Sequence, residues 1–125
     1  MSPPSVVENA DGPFLTSADM AWFWERYVPT DQARLDPSVN LGEAARLGEL
    51  DDLAPAVVAT AAFDPLRDEG RAHARALAAA GVTVRELHGE GLVHGYFGLG
   101  AASAAARAEG DRALEVLAEL LAATG

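Results

Sequence analysis

The chain has 125 residues, enough for one ordinary domain or a piece of a larger one and too few for two independent cores. Acidic residues outnumber basic ones 19 to 9, a formal net charge of −10, so a phosphate backbone meets net repulsion and no nucleic-acid partner is expected. Half of the residues are hydrophobic, unlike a disordered sequence, and the lack of Cys removes disulfides, thiolate zinc sites and a cysteine nucleophile. The start, Met1-Ser2-Pro3-Pro4-Ser5, has neither the basic nor the apolar part of a signal peptide, and no run approaches the ~18 apolar residues of a membrane span. The expected location is therefore cytoplasmic, with no membrane span.

Residues 1–15 are rich in Pro, Ser and Asn/Asp without a hydrophobic period and read as an irregular start. Thr16 or Ser17 with Asp19 has the form of a capping box. Met20, Phe23, Trp24 and Tyr27 then recur at helical spacing until Pro29, which predicts an aromatic helix within 16–29. Turn-like clusters at 36–38, 40–42 and Gly48 make residues 30–54 a connection with at most a helical turn at 42–47. Residues 56–63 are a continuous apolar run after Pro55, the pattern of a strand buried on both faces of a parallel sheet. A helix is predicted over 66–80, with Gly81 where a helix-ending glycine belongs. A second strand is predicted over 83–88, then a glycine-rich loop over 89–100. The closing helix, 104–122, carries Leu114, Leu117, Leu120 and Leu121 on one face.

Strand, helix, strand in this order is a right-handed crossover, so the two strands are expected to be parallel and the loops after them to lie side by side. Two strands make a sheet too small to cover its own edges. Either another chain pairs with the exposed edge, or this is the C-terminal part of a larger α/β domain whose other strands lie upstream. The two loops hold Asp64 and His94. An Asp and a His from adjacent loops are two thirds of a serine-hydrolase triad, in Asp-before-His order. An Asp after a strand is otherwise a common turn or cap residue, and Asp68 and Glu69 read as first-turn acids of the helix. His73 and His88 do not combine with His94 at any helical or hairpin ligand spacing, so no metal and no cofactor is assigned.

Asp64-Pro65-Leu66-Arg67-Asp68-Glu69-Gly70, the helix ending Ala80-Gly81-Val82, and then Val93-His94-Gly95-Tyr96-Phe97 closely resemble the end of α/β-hydrolases of the hormone-sensitive-lipase-like esterase family. Residues 16–27, with Trp22-Phe23-Trp24, resemble the segment those esterases carry before the acid-bearing strand. The resemblance implies an α/β fold class: the C-terminal portion of an α/β-hydrolase fold, a parallel strand–helix–strand plus C-terminal helix, preceded by a short helical segment. Residues 1–125 would form one partial domain, with 56–125 carrying the acid and base loops. It also implies a serine carboxylic ester hydrolase of the EC 3.1.1 type, working on short or medium acyl esters through an acyl-enzyme. Asp64 would be the triad acid and His94 the triad base. Pro65 and Gly95 would be positioning residues, the first stopping the strand and the second freeing backbone space beside His94. Trp22, Trp24, Tyr96 and Phe97 are candidates for the substrate pocket, although such aromatics are more often core or cover.

The chain departs from the family in one respect: it has no Gly-x-Ser-x-Gly elbow and no His-Gly-Gly motif for an oxyanion hole. Ser2, Ser5, Ser17, Ser38 and Ser103 all lie outside such an elbow. The expectation is that the isolated chain is inactive, and that a small-molecule ester is its partner only when the missing N-terminal half is supplied. The alternative expectation is a catalytically inactive α/β module that forms a homodimer, or pairs with a partner, through its exposed strand edge.

Overall fold

The computed structural model describes residues 2–28 and 30–124, so Pro29, expected to stop the aromatic helix, lies outside the described residues. Five α-helices and two strands follow in the order α1 (Pro4–Glu8), α2 (Ser17–Tyr27), α3 (Leu41–Leu47), β1 (Ala56–Phe63), α4 (Arg67–Ala79), β2 (Val84–Val93) and α5 (Ala104–Thr124). Single 3₁₀ turns occupy Ala33–Leu35 and Tyr96–Leu99.

Local chemistry accounts for most of these boundaries. The side chain of Thr16 accepts from the Asp19 amide at 3.1 Å while Asp19 accepts from the Thr16 amide at 3.0 Å, the reciprocal capping box that starts α2. Asn40 caps α3 by accepting from the amides of Gly42 and Glu43. The short α1 departs from the irregular start expected there. Pro4, in the first turn, has its φ already set for a helix, but five residues are too few for a hydrophobic period to reveal.

The strands β1 and β2 pair in parallel, joined by α4. Side chains alternate across the sheet. Ala56 and Val58 pack against Leu77 and Val82 on the side of α4, together with Ala44 and Leu50 from the α3 region. Ala61 points the other way, to Leu92, Tyr96 and Ala106 under α5. The expectation that β1 is buried along both faces holds only near its carboxyl end, where Thr60 and Ala61 are buried. Ala59 before them and Phe63 at the very end are exposed, and no strand among the described residues pairs with the outer edge of β1.

The second strand is longer than expected. From Ala56↔Val84 to Ala61↔Gly89 the partners are 28 positions apart, but Phe63 pairs with Val93, 30 positions on. Two extra residues of β2 therefore bulge out near Gly89 before the ladder resumes, a device commoner in antiparallel sheets. Glycines here read as a loop from sequence, yet they allow the strand to continue. A Cβ on Gly89 would stand 2.7 Å from Leu92 Cδ1 and 3.0 Å from Leu92 Cβ, so the chain folds back over a position that only glycine fills. Gly89→Ala is expected to destabilise the chain by about 1–3 kcal/mol, read as a lower urea midpoint. An unchanged midpoint would show that the bulge does not need the glycine.

Candidate active site

Because the ladder resumes at Phe63↔Val93, the next residue of each strand, Asp64 and His94, leaves the sheet opposite the other. Their side chains meet: His94 Nδ1 lies 2.9 Å from Asp64 Oδ2. A carboxylate accepts but cannot donate, so Nδ1 carries the hydrogen and Nε2 is left as the free acceptor of the ring. The other carboxylate oxygen, Oδ1, accepts from the Leu66 amide at 2.8 Å, an Asx-type turn that fixes the orientation of the carboxylate. The Asp64 side chain is 13% exposed and that of His94 40%, so the acid is sheltered while the imidazole reaches an open surface. Gly95 follows with φ 72°. Nothing lies within 4 Å of a Cβ built there, so the dihedral angle, rather than the backbone space expected, is what calls for glycine.

Sequence reasoning overlooked α1, which ties down the acid loop. Ser5 is fully buried; its hydroxyl donates to the Pro65 carbonyl at 2.8 Å and accepts from the Asp68 amide at 3.1 Å, and its own amide donates to Asp68 Oδ2 at 2.8 Å. Asn9 Nδ2 donates to the Ser5 carbonyl and, at 3.5 Å, to the Asp64 carbonyl. Arg67 reaches from α4 to Glu8 at 2.7 Å, to Asp68 at 2.9 Å and to the Ala62 carbonyl at 3.1 Å. The partners are about sixty positions apart, and no local pattern announces them. Pro65 is itself fully buried beneath this contact.

The imidazole opens onto a cavity of about 650 Å³ whose apolar wall is Leu15, Met20, Phe23, Trp24 and Tyr27, with Leu66 and Glu69 at the start of α4. Of the four aromatic candidates, only Trp24 lines it. Trp22, two positions earlier and so on roughly the opposite side of the helix, stacks edge-on with Phe23 and carries the Arg26 guanidinium 3.9 Å from its ring centre. Tyr96 is buried in the cluster under α5, where burial, aided by Glu109, pushes its phenol above the ordinary range. Phe97 is exposed and lines a different surface cavity, together with Arg107 and Leu114. Phe23 and Tyr27 were legible as apolar positions of the aromatic helix, Leu15 lay in the stretch read as irregular, and their common wall is written in no local pattern.

His88 sits away from this cavity with Nδ1 3.0 Å from Thr60 Oγ1, and burial, reinforced by Arg71, favours its neutral form. Among the described residues no group of three or more His, Asp or Glu side chains is placed to hold a metal ion, and no helix is long and apolar enough to cross a membrane.

A parallel strand–helix–strand with helices on both faces and an Asp–His contact at the strand ends is the architecture of an α/β-hydrolase. Residues 2–98 match the family described as alpha/beta hydrolase fold, and the chain belongs to it. It is similar to Esterase LipI of Mycobacterium tuberculosis, 38% identical over 118 residues that cover 94% of this chain and 36% of the relative. Carboxylesterase NlhH of the same organism is 37% identical over 125 residues, 97% of this chain and 38% of the relative. The crystal structure of a thermostable esterase from Pseudomonas putida ECU1011 superposes with a TM-score of 0.74 at 41% identity, covering 86% of this chain and 35% of that one. The fold class and the likeness to the C-terminal part of such esterases, both expected from sequence, stand. The chain spans little more than a third of these relatives, 36% and 38% of the two curated ones.

The bond from Arg67, helped by the Ser5 amide and opposed by partial burial, holds the Asp68 carboxyl below its ordinary value of 3.8. A carboxyl depressed on folding contributes stability above its unfolded pKa and loses it as pH falls through the folded one. Urea midpoints measured from about pH 6 to about pH 3 should therefore fall more steeply for the natural chain than for Asp68→Asn, with the difference concentrated below about pH 4. Parallel curves would show that Asp68 gains nothing from its partners.

Proposed function

We propose that this chain, as one partial α/β-hydrolase domain, supplies the acid and the base of a serine carboxylic ester hydrolase. The observation that carries the reading is the 2.9 Å contact between His94 Nδ1 and Asp64 Oδ2, with His94 also lining an aromatic cavity. Nε2 takes the proton of a serine hydroxyl as its oxygen adds to the ester carbonyl, and Asp64 steadies the imidazolium through Nδ1. The imidazolium then protonates the departing alcohol, leaving an acyl-enzyme. A water molecule, deprotonated by the same Nε2, releases the acid. The wall of Phe23, Trp24 and Tyr27 suits the short or medium apolar part of an ester. The serine and the oxyanion-hole donors come from sequence this chain does not contain, since none of its five serines lies in an elbow motif.

A second reading has the free outer edge of β1, flanked by exposed Ala59 and Phe63, as its support: an inactive module that pairs with a second copy through that edge. Sedimentation separates the two, because a monomer that melts cooperatively counts against the module and a stable dimer counts for it.

The enzyme reading is tested by a hybrid in which this chain replaces the equivalent part of Carboxylesterase NlhH. The hybrid is expected to hydrolyse p-nitrophenyl butyrate, while the chain alone does no better than buffer. Within the hybrid, His94→Ala and Asp64→Asn should each lower kcat by roughly 10³–10⁴-fold. Full turnover with His94→Ala would end the assignment, and turnover by the chain alone that His94→Ala abolishes would show that it has a nucleophile of its own.

A further inference from the structure

We infer that Ser5 is a positioning residue for the acid–base pair: it caps α4 from outside and so holds the loop that aims Asp64 at His94. The inference rests on the reading of Asp64 and His94 as a proton relay.

A helix leaves its first amides without partners and normally satisfies them with the side chain of its own cap residue. The residue in that position before α4 is Leu66, which has no side chain able to accept, and no cap bond forms there. The amide of Asp68 instead donates to the hydroxyl of Ser5, 63 positions away in sequence, and the same hydroxyl donates to the carbonyl of Pro65. One buried oxygen therefore bridges the two sides of the turn 64–68. In the opposite direction the Ser5 amide is held by Asp68 Oδ2, so the contact is reciprocal in the manner of a capping box assembled from two distant segments. Asn9 continues the strap to the Asp64 carbonyl. These bonds fix the backbone on both sides of the Leu66 amide, the group that holds Asp64 Oδ1 and thereby leaves Oδ2 on the imidazole. Arg67, the neighbouring cation, is occupied by Glu8, Asp68 and the Ala62 carbonyl, so among the hydrogen bonds described none takes Asp64 away from His94.

A nucleophilic role for Ser5 is incompatible with this arrangement. Its hydroxyl is fully buried and already engaged as donor and acceptor.

The experiment is imidazole ¹⁵N NMR at about pH 8, with amide hydrogen exchange, on the full chain labelled with ¹⁵N. In the natural chain His94 should be the Nδ1–H tautomer. Ser5→Ala should move it toward the mixture shown by a free imidazole and speed exchange of the Asp68 amide by roughly tenfold or more. Glu8→Gln, which weakens the exposed contact of α1 with Arg67 but leaves every bond of Ser5 in place, should change neither reading. If Ser5→Ala unfolds the chain, Ser5→Cys, similar in shape and a weaker partner, provides the same two readings. The inference is overturned if the alanine variant, folded, keeps both the tautomer and the Asp68 protection. Unfolding of both variants overturns it equally, since Ser5 would then serve the fold as a whole. Asp64→Ala separates this failure from failure of the relay. If removing the acid leaves the tautomer of His94 unchanged, the relay reading is what has failed. If it changes the tautomer while Ser5→Ala does not, only the role of Ser5 is lost.

Discussion

A parallel ladder advances about 3.3 Å per residue on both strands, so the pairing of β1 with β2 decides which residues emerge together at its end. With the register of the first six pairs continued unbroken, Asp64 would stand opposite Leu92, and His94 would lie about 7 Å farther on. The two residues absorbed near Gly89 correct that offset and bring Asp64 and His94 face to face. The contact between Asp64 and His94 depends on that local slip, and the slip passes through a glycine over which Leu92 folds.

What the register brings together, hydrogen bonds then aim. The two oxygens of Asp64 are divided between the Leu66 amide and the imidazole, which selects the tautomer of His94, itself a lining residue of the aromatic cavity. Ser5, Asn9 and Arg67 hold the surrounding turn from three directions. The acid is sheltered and the imidazole more exposed, the division that the proposed roles of orienting carboxylate and proton-transferring ring require.

Part of the apolar surface left uncovered lies on α2 and at the end of β1. Phe63 lies at the end of β1, whose outer edge has no partner strand among the described residues, and Phe23 and Tyr27 are exposed on α2, a helix with no buried residue. A sheet of two strands cannot cover both faces and both edges. The similar esterases are about two and a half times its length, and their likeness to it covers nearly all of this chain.

Spacing and composition alone determined the crossover unit, the capping box of α2, the glycine after α4 and the placing of Asp64 and His94 in the loops that follow the two strands. Each is written within a few consecutive positions, where hydrophobic period, turn chemistry and motif act. Only the tertiary structure decided that α1 is a strap, that β2 runs on through its glycines to Val93, that Trp24 faces the cavity while Trp22 and Tyr96 do not, and that β1 is half exposed. These outcomes depend on partners about thirty to sixty positions away and on which side of a helix or strand another element covers. A local pattern records neither, because burial and long-range hydrogen bonds are properties of the packed molecule.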